Sequence, residues 1–426
     1  MTRYKIFNAI FIVVFFLALL VVPAFWIARQ GNWERVSEVE GRNLVVFPAI
    51  PWREFPNDLY RLLNRETLDE SETIFQSLFD GSFRNDVETA GVDQFPYRLS
   101  VVAAARAIER IQIHTAYAPL QDVAIPASLD TEYLIMRHEP VFIQEPVPNG
   151  YVSQNTIDAR IRNYQELISA HPDMRFFVFY LERMAFAPYN PAKDRFPESD
   201  SGSSYQYFLE NKPVRLYLSD LRLKNYEEHK EYFFKTDHHW NSRGAWEGYS
   251  LIYDMLADQF PEISPKLELE AFKVIKGADF CGSYARRTLV PCTPEPFEVA
   301  LVDVPPYQTI IDGQVQPYGH REEYLAGSFE KERYTNHYAA YYGNVIDLVE
   351  YRFENSSPRN LLLLGNSYSQ AAQLLIASHY RTTYVIDFRD YSEFDLSEFL
   401  AAHPVDDVLI LGDVIVYGSE SWLIRP

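Results

Sequence analysis

Asp237 and His239 lie two residues apart in the stretch KTDHHWN, and their side chains are those that activate a nucleophile. Histidine takes the nucleophile's proton, and a carboxylate fixes the tautomer of that histidine. In an extended segment, residues i and i+2 share a face, so we expect Asp237 and His239 to point the same way and His238 to point away. A surface turn, a metal-ligand fragment or a structural cluster would contain the same residues, so the interpretation depends on a nucleophile elsewhere.

Ser367 is the candidate nucleophile because it follows a run of four leucines and a glycine, Leu361–Gly365. The run predicts a buried strand, and the glycine predicts a tight turn before the next helix. Open α/β sheets bind ligands at the carboxyl ends of strands, and the N–H groups of a following helix can bind a developing oxyanion. Serine and asparagine are also common helix caps, so Asn366 and Ser367 alone would indicate no more than a capped helix.

The elements that must position these residues alternate along most of the chain. Hydrophobic periodicity predicts helices over 67–81, 99–111, 155–170, 244–260, 369–379 and 396–402, and strands over 175–181, 214–218, 360–364, 384–388 and 408–411. Such alternation predicts an α/β fold with a parallel sheet covered on both faces. Residues 261–355 break the rhythm and are interpreted as a long insertion or cap near the site. We therefore divide the chain into 1–29, a stem and helical region over 30–125, and a catalytic domain over 126–426.

The composition supports a large folded core and limits the partners. The chain has 426 residues, of which 47% are hydrophobic, enough to bury at least one large core. Its formal net charge is -20 and it has no block of Lys and Arg, so a nucleic-acid partner is not expected. The candidates for a local basic patch near the motifs are Lys235, Arg286, Arg287 and Arg389.

An almost unbroken apolar stretch over residues 6–28 follows Arg3 and Lys5. Its length and basic flank predict a membrane-spanning helix that leaves the rest of the chain outside the cytoplasm, in the periplasm or at the cell surface. A cleaved signal peptide is the alternative, because small residues surround Pro23, and the protein would then be secreted. In an oxidising compartment, Cys281 and Cys292 are candidates for a disulfide, with two unpaired thiols as the alternative.

Motifs spread along the chain strengthen the catalytic interpretation. These are Ser37–Leu44 with Phe47 and Pro48, Asp93–Arg98, Asp237–Trp240 with Gly244 and Ala245, and Gly365–Ser369. Together they resemble the DHHW proteins and the related alginate O-acetyltransferases of the SGNH-hydrolase-like superfamily. In that branch an N-terminal membrane segment and a stem precede the Asp-x-His-Trp motif, and a Gly-x-Ser turn follows it. Ordinary SGNH hydrolases have the reverse order and an aspartate where this chain has Asn366.

The resemblance implies an SGNH-hydrolase-like parallel sheet flanked by helices, with an N-terminal membrane helix and a helical stem. It implies that Ser367 is the nucleophile, His239 the general base and acid, and Asp237 the residue that orients His239. The Ser367 backbone N–H, with Asn366 as a further candidate, would bind the oxyanion.

Three further residues are weaker candidates for substrate contacts. His238 and Trp240 flank His239, although one could face solvent and the other could pack under the loop. Arg389 follows a predicted strand and could bind an anionic group or form a structural salt bridge. Since no His-Glu-x-x-His or paired-cysteine motif is present, we expect no catalytic metal and no cofactor.

We therefore expect an extracytoplasmic O-acetyltransferase that passes an acetyl group through Ser367 to a hydroxyl of a cell-surface or exported polysaccharide. The resemblance also implies a multi-pass membrane O-acyltransferase as the partner that supplies the acetyl group. A carbohydrate acetyl esterase with the same triad is the first alternative, because the fate of an acyl-enzyme depends on acceptor binding. A non-catalytic, membrane-anchored glycan-binding or scaffold protein is the second.

Overall fold

The computed structural model describes residues 33, 35–37, 42–47, 82–95, 97–119, 123–139, 141–316, 321, 324–325, 335–343, 348–355, 357–387, 394–418 and 423–426. The chain divides into two compact units, Met1–Ile108 and Glu109–Pro426. Among the described helices, none combines the length and the hydropathy of a membrane-spanning segment. The apolar stretch over 6–28 and the predicted helix over 67–81 lie outside those ranges.

The described strands are short except for one hairpin. They are β1 (Val36–Ser37), β2 (Arg42–Asn43), β3 (Ala124–Pro126), β4 (Tyr133–Met136), β5 (Phe142–Gln144), β6 (Arg175–Leu181), β7 (Leu216–Leu221), β8 (Leu269–Phe280), β9 (Glu295–Val302), β10 (Tyr307–Ile311), β11 (Gln314–Val315), β12 (Leu348–Phe353), β13 (Asn360–Gly365), β14 (Thr382–Asp387) and β15 (Asp407–Gly412).

The described helices connect and cover these strands. They are α1 (Ser82–Asp93), α2 (Arg98–Tyr117), α3 (Gln154–Ala170), α4 (Ser203–Asn211), α5 (Tyr226–Tyr232), α6 (Ser242–Gln259), α7 (Ser283–Thr288), α8 (His337–Tyr342), α9 (Gln373–Ala377), α10 (Leu396–Ala402) and α11 (Ile415–Gly418), with 3₁₀ turns at Met184–Phe186, Lys193–Arg195 and Ser369–Ala371.

An eight-stranded sheet, in the order β11-β10-β12-β14-β13-β15-β6-β7, is the centre of the second unit. Strands β14, β13, β15, β6 and β7 are parallel to one another, whereas β12, β10 and β11 extend the sheet in antiparallel fashion. The predicted α/β fold with a mostly parallel sheet is confirmed. The segment predicted as an insertion thus contributes three strands to this same sheet.

Both faces of the sheet are buried, which explains the unbroken apolar run in β13. Leu361 and Leu363 pack on one side with residues of α6 and α9. Leu362 and Leu364 pack on the other side with residues of α3, α4, α10 and α11. Because side chains alternate across a strand, a strand covered on both faces needs apolar residues at every position.

Candidate active site

The DHHW motif lies in a closed loop rather than in an extended strand. Phe233 and Trp240 pair as an isolated antiparallel bridge, and Phe234 N–H donates to the carbonyl of His239 at 3.2 Å. Inside the loop, Asp237 Oδ1 accepts the backbone N–H of His239 at 2.9 Å. This side-chain-to-backbone bond makes a local turn, as aspartate often does. The expectation of an extended segment was therefore wrong, although Asp237 and His239 do come together.

A continuous hydrogen-bond chain joins the three residues that the sequence singled out. His239 Nδ1 is 2.6 Å from Asp237 Oδ1, and His239 Nε2 is 2.8 Å from Ser367 Oγ. Asp237 and His239 are buried, while Ser367 is partly exposed. With Nδ1–H donating to the carboxylate, Nε2 is left free to accept the proton of the serine hydroxyl.

The loop between the two cysteines holds Asp237 from the other side. Ser283 N–H donates to Asp237 Oδ2 at 2.5 Å. A Cβ atom on the preceding residue, Gly282, would lie 2.2 Å from Asp237 Cβ, so only glycine allows this approach. Cys281 and Cys292 are joined by a disulfide that closes this loop. The support of the carboxylate therefore comes from a covalently closed segment.

Electrostatics keep Asp237 ionised. Burial alone would raise the pKa of Asp237, but the imidazoles of His239 and His238 and the hydrogen bonds from His239 outweigh burial. The pKa of Asp237 therefore lies well below its usual range. An ionised carboxylate can stabilise the imidazolium that forms when His239 takes a proton.

Ser367 lies on a tight turn directly after the central strand β13. Asn366 Oδ1 accepts Tyr368 N–H at 3.1 Å, and the Asn366 carbonyl accepts Ser369 N–H at 2.9 Å. Ser369 Oγ donates to the same carbonyl at 2.9 Å, and a Cβ on Gly365 would lie 2.8 Å from this side chain. The turn thus requires glycine at position 365 and a side-chain acceptor at position 366.

The helix predicted over 369–379 is instead a 3₁₀ turn, Ser369–Ala371, followed by the five-residue helix α9. The expected N-terminus of a long helix is therefore not behind Ser367. Within the described residues, the backbone N–H of Ser367 donates to no other group. That N–H is available to an oxyanion, whereas the Asn366 side chain is engaged in holding the turn.

A polar network crosses the ends of the neighbouring parallel strands. Asn366 Nδ2 donates to Asp413 Oδ1 at 3.2 Å, at the end of β15. Arg183, just after β6, donates to Asp413 Oδ2 at 3.1 Å and to Gln144 Oε1 at 2.6 Å. The network thus ties the Ser367 turn to two adjacent strands. The rule that led to Ser367, a polar residue directly after an apolar strand, would also have found Arg183 and Asp413.

His238 does not point away from the pair, contrary to expectation. Its ring centroid is 3.8 Å from that of His239, and its Nδ1 lies 2.6 Å from Ser283 Oγ. Burial and then the neighbouring His239 lower the pKa of His238 well below its usual value, with Arg183 contributing further. His238 is therefore neutral near pH 7, and its side chain is 21% exposed, which leaves it accessible to a substrate.

The other substrate-contact candidates have different outcomes. Trp240 is fully buried and packs near Phe179, with ring centroids 6.3 Å apart, so it supports the loop and does not face a substrate. This corrects its assignment as a substrate contact. Arg389 lies outside the described residues, so its role stays a prediction.

Asp237, His238 and His239 also bring three ligand-type atoms within 4.8 Å of one another, as a metal site would. However, Asp237 Oδ1 and His239 Nδ1 are in direct hydrogen-bond contact at 2.6 Å. An ion bound between them would have to separate them, because metal–ligand bonds of about 2 Å converge on one point. The observed arrangement fits a proton shared between the two atoms.

Two tyrosines lie around His239, and the sequence analysis assigned neither of them a role in the site. The Tyr338 ring stacks on the His239 imidazole with centroids 4.0 Å apart, and its hydroxyl donates to the Ser367 carbonyl at 2.9 Å. Tyr368 Oη donates to the His238 carbonyl at 3.1 Å. Tyr338 belongs to α8, in the segment predicted only as an insertion or cap, and its approach to the site depends on tertiary packing.

The fold of this chain is similar to those of several solved structures. PatB1 of Bacillus cereus, solved with a sulfonyl adduct, matches with a TM-score of 0.53 and 16% identity over 67% of this chain and 98% of that chain. A DHHW family protein from Eubacterium siraeum matches at 0.46 and 16% identity, over 68% and 93%. The O-acetyltransferase domain of Pseudomonas putida AlgJ matches at 0.39 and 12% identity, over 67% and 92%.

At these identities the match to PatB1 establishes a shared fold, and the activity must be argued from the site. No family model matches the chain. No curated protein matches it either.

Proposed function

We propose that this protein is a serine-dependent O-acetyltransferase that acts on a polysaccharide, with Asp237, His239 and Ser367 as its catalytic triad. The observation that carries the proposal is the unbroken hydrogen-bond chain from the buried carboxylate through the imidazole to the hydroxyl. Each link has the length and burial that general-base activation of a serine requires.

In the first step, Ser367 Oγ attacks the carbonyl carbon of an acetyl donor while His239 Nε2 takes the hydroxyl proton. The negative charge moves to the carbonyl oxygen, which Ser367 N–H can stabilise. When the intermediate collapses, the bond to the leaving group breaks, and His239 returns its proton to that group. The product is an acetyl ester on Ser367.

In the second step, a sugar hydroxyl attacks the acetyl carbon and His239 takes its proton. Collapse of this intermediate breaks the bond to Ser367 Oγ, which recovers a proton from His239. The acetyl group is then an ester of the sugar. Water in place of the sugar would make the same enzyme an esterase, so exclusion of water decides the outcome.

The choice of acetyl group and polysaccharide rests on the motifs shared with DHHW proteins and alginate O-acetyltransferases, as does the assignment of the sheet to the SGNH-hydrolase-like type. On the same basis, the N-terminal apolar segment holds the catalytic unit outside the cytoplasm, and a multi-pass membrane O-acyltransferase supplies the acetyl group. Protease treatment of spheroplasts containing the full-length protein tests this location: digestion of the catalytic unit without lysis supports it, and protection contradicts it.

The decisive experiment incubates the full-length protein in detergent with p-nitrophenyl acetate and a panel of oligosaccharides: neutral glucan, amino-sugar and uronic acid types. The wild type is compared with Ser367→Ala and with Ser378→Ala as a matched control. Ser378 is a buried serine whose hydroxyl donates to the Leu375 carbonyl at 2.7 Å rather than within the Ser367 turn. Products and the acyl-enzyme are measured by mass spectrometry.

Acetylated sugar formed by the wild type and by Ser378→Ala, but not by Ser367→Ala, supports the proposal. Ester hydrolysis without acetylated sugar would overturn transfer in favour of an esterase. The absence of both an acyl-enzyme and turnover would overturn catalysis and favour a glycan-binding or scaffold protein.

A further inference from the structure

Tyr338 contacts both halves of the proposed triad, although it lies far from either motif in the sequence. Its ring is nearly parallel to the His239 imidazole, at 10°, with centroids 4.0 Å apart. Its hydroxyl donates to the backbone carbonyl of Ser367 at 2.9 Å. The side chain is 1% exposed, so one rigid buried ring fixes the plane of the base and the position of the nucleophile's turn together.

A second tyrosine, beside the serine, bonds to the loop that carries the histidines. Tyr368 follows Ser367 directly, and its hydroxyl donates to the carbonyl of His238 at 3.1 Å. The ring of Tyr368 also meets the His239 ring edge-on, with centroids 5.3 Å apart. The loop over residues 233–240, here called the histidine loop, is therefore tied to the turn at Ser367 by contacts of two tyrosines. These contacts add to the hydrogen bond between His239 and Ser367.

The neighbourhood of Tyr338 keeps its hydroxyl a donor. Burial, and then the nearby Tyr342, raise the pKa of Tyr338 well above its usual value. The phenol therefore stays protonated and continues to donate to the Ser367 carbonyl across the working pH range. A neutral ring also avoids placing a full negative charge beside the ionised Asp237.

The stack also affects the charge that develops during the reaction. When His239 takes the serine proton, a positive charge forms on a ring that lies against the π face of Tyr338. A cation over an aromatic face is favoured about 2- to 5-fold at exposed sites and about 30-fold where water is excluded. This stabilisation grows as the imidazolium forms, so it acts on the transition state more than on the resting enzyme.

We propose that Tyr338 is a positioning residue of the acyl-transfer reaction, which fixes the plane of His239 and stabilises its protonated form. The proposal rests on the function proposed above. It predicts that loss of the ring lowers kcat and leaves KM unchanged, because Tyr338 acts through His239 and through the Ser367 carbonyl.

The test compares Tyr338→Phe and Tyr338→Leu with the wild type, using Tyr341→Leu as the matched control. Tyr341 is a buried tyrosine on the same helix whose ring packs on Phe297 and Tyr324 rather than on the imidazole. We expect Tyr338→Leu to lower kcat about 10- to 100-fold with KM unchanged. Tyr338→Phe keeps the stack and should stay within about fivefold of the wild type, since it loses a single hydrogen bond.

Two readouts do not depend on acetyl transfer. The rate at which phenylmethylsulfonyl fluoride labels Ser367, followed by intact mass, reports how strongly His239 activates the hydroxyl. The low-field NMR signal of the His239 Nδ1 proton reports its bond to Asp237. The labelling rate and the NMR signal should both be retained in Tyr338→Phe and Tyr341→Leu. In Tyr338→Leu, labelling should slow by the same factor as kcat.

Each outcome decides between the inference and the proposed function. Equal losses in Tyr338→Leu and Tyr341→Leu, or wild-type labelling in Tyr338→Leu, would overturn the positioning role while leaving the triad in place. If the wild type itself is neither labelled at Ser367 nor active, the proposed function fails, and with it this inference. Thermal melts verify folding, and Tyr338→Met, which fills similar space without a π face, replaces the leucine variant if that variant does not fold.

Discussion

Alanine at position 282 would press directly on the carboxylate that orients His239. The added Cβ would lie 2.2 Å from Asp237 Cβ and 2.4 Å from Asp237 Oδ2. Carbon atoms in ordinary contact are about 3.5 Å apart, so the two residues must separate by roughly 1.3 Å. The backbone of Gly282, at φ -78° and ψ -161°, is extended and suits alanine. The steric contact with Asp237 is therefore the effect that the substitution isolates.

The consequence for activity follows from the bond between Asp237 and His239. A 2.6 Å bond lengthened by that amount leaves the hydrogen-bonding range. We expect Gly282→Ala to lower kcat about 10²-fold, the cost of a displacement of about 1 Å at a catalytic group. We also expect it to destabilise the fold by ~1–3 kcal/mol, as overpacking does. Steady-state kinetics with an activated acetyl ester and chemical denaturation measure the two effects.

A double-mutant cycle with Asp237→Gly identifies the route of the effect, because that substitution removes the three atoms nearest to the new Cβ. In the Asp237→Gly background, Gly282→Ala should cost no further stability and no further activity. An equal loss of stability in both backgrounds, or a wild-type kcat for Gly282→Ala alone, would refute the steric account.

Three further predictions concern the same site and one buried neighbour. Asp237→Asn should lower kcat about 10⁴-fold, because an amide cannot satisfy both His239 and Ser283 and favours the wrong tautomer; a loss of less than tenfold, measured with the same ester, would contradict the role of the carboxylate. Treatment with EDTA should leave kcat unchanged, since Asp237 and His239 bond directly to each other; a loss reversed by added zinc would show a metal site instead. Burial raises the pKa of Glu182 to about 8, against the influence of Arg222, so this group favours folding while protonated, and its contribution is lost as pH rises from its ordinary value through 8. Glu182→Gln should therefore gain in melting temperature over the wild type at pH 9 but not at pH 5, and an equal gain at both would rule out this titration.

The regular elements were largely predictable because apolar periodicity responds to burial. The strand over 175–181 and the helix over 396–402 have the bounds read from the sequence. The run of leucines in β13 predicted a strand buried on both faces. The helix after Ser367 was mispredicted because Ser369 bonds back to the Asn366 carbonyl, which favours a 3₁₀ turn over a regular first helical turn.

At the site, the sequence identified residues that can do chemistry, but it predicted poorly where their side chains point. Asp237 and His239 converge because the aspartate caps the N–H of His239 in a turn, and the same turn brings His238 inward. The expectation that residues i and i+2 share a face applies to extended backbone and does not allow for such a side-chain-to-backbone bond. Gly282 and Tyr338 were missed for another reason: their importance lies in contacts with residues 45 and 99 positions away along the chain, which no local pattern encodes.

The order of strands in the sheet determines when this site can exist during synthesis. The histidine loop is made early, and Ser367 follows 128 residues later on β13. Strand β13 does not pair with β6, because β15, made last, lies between them. A growing chain therefore carries its base and its nucleophile unconnected by the sheet until residue 412 has emerged. The hydrogen bond between His239 and Ser367 therefore lies within a sheet that is continuous only when β15 is in place.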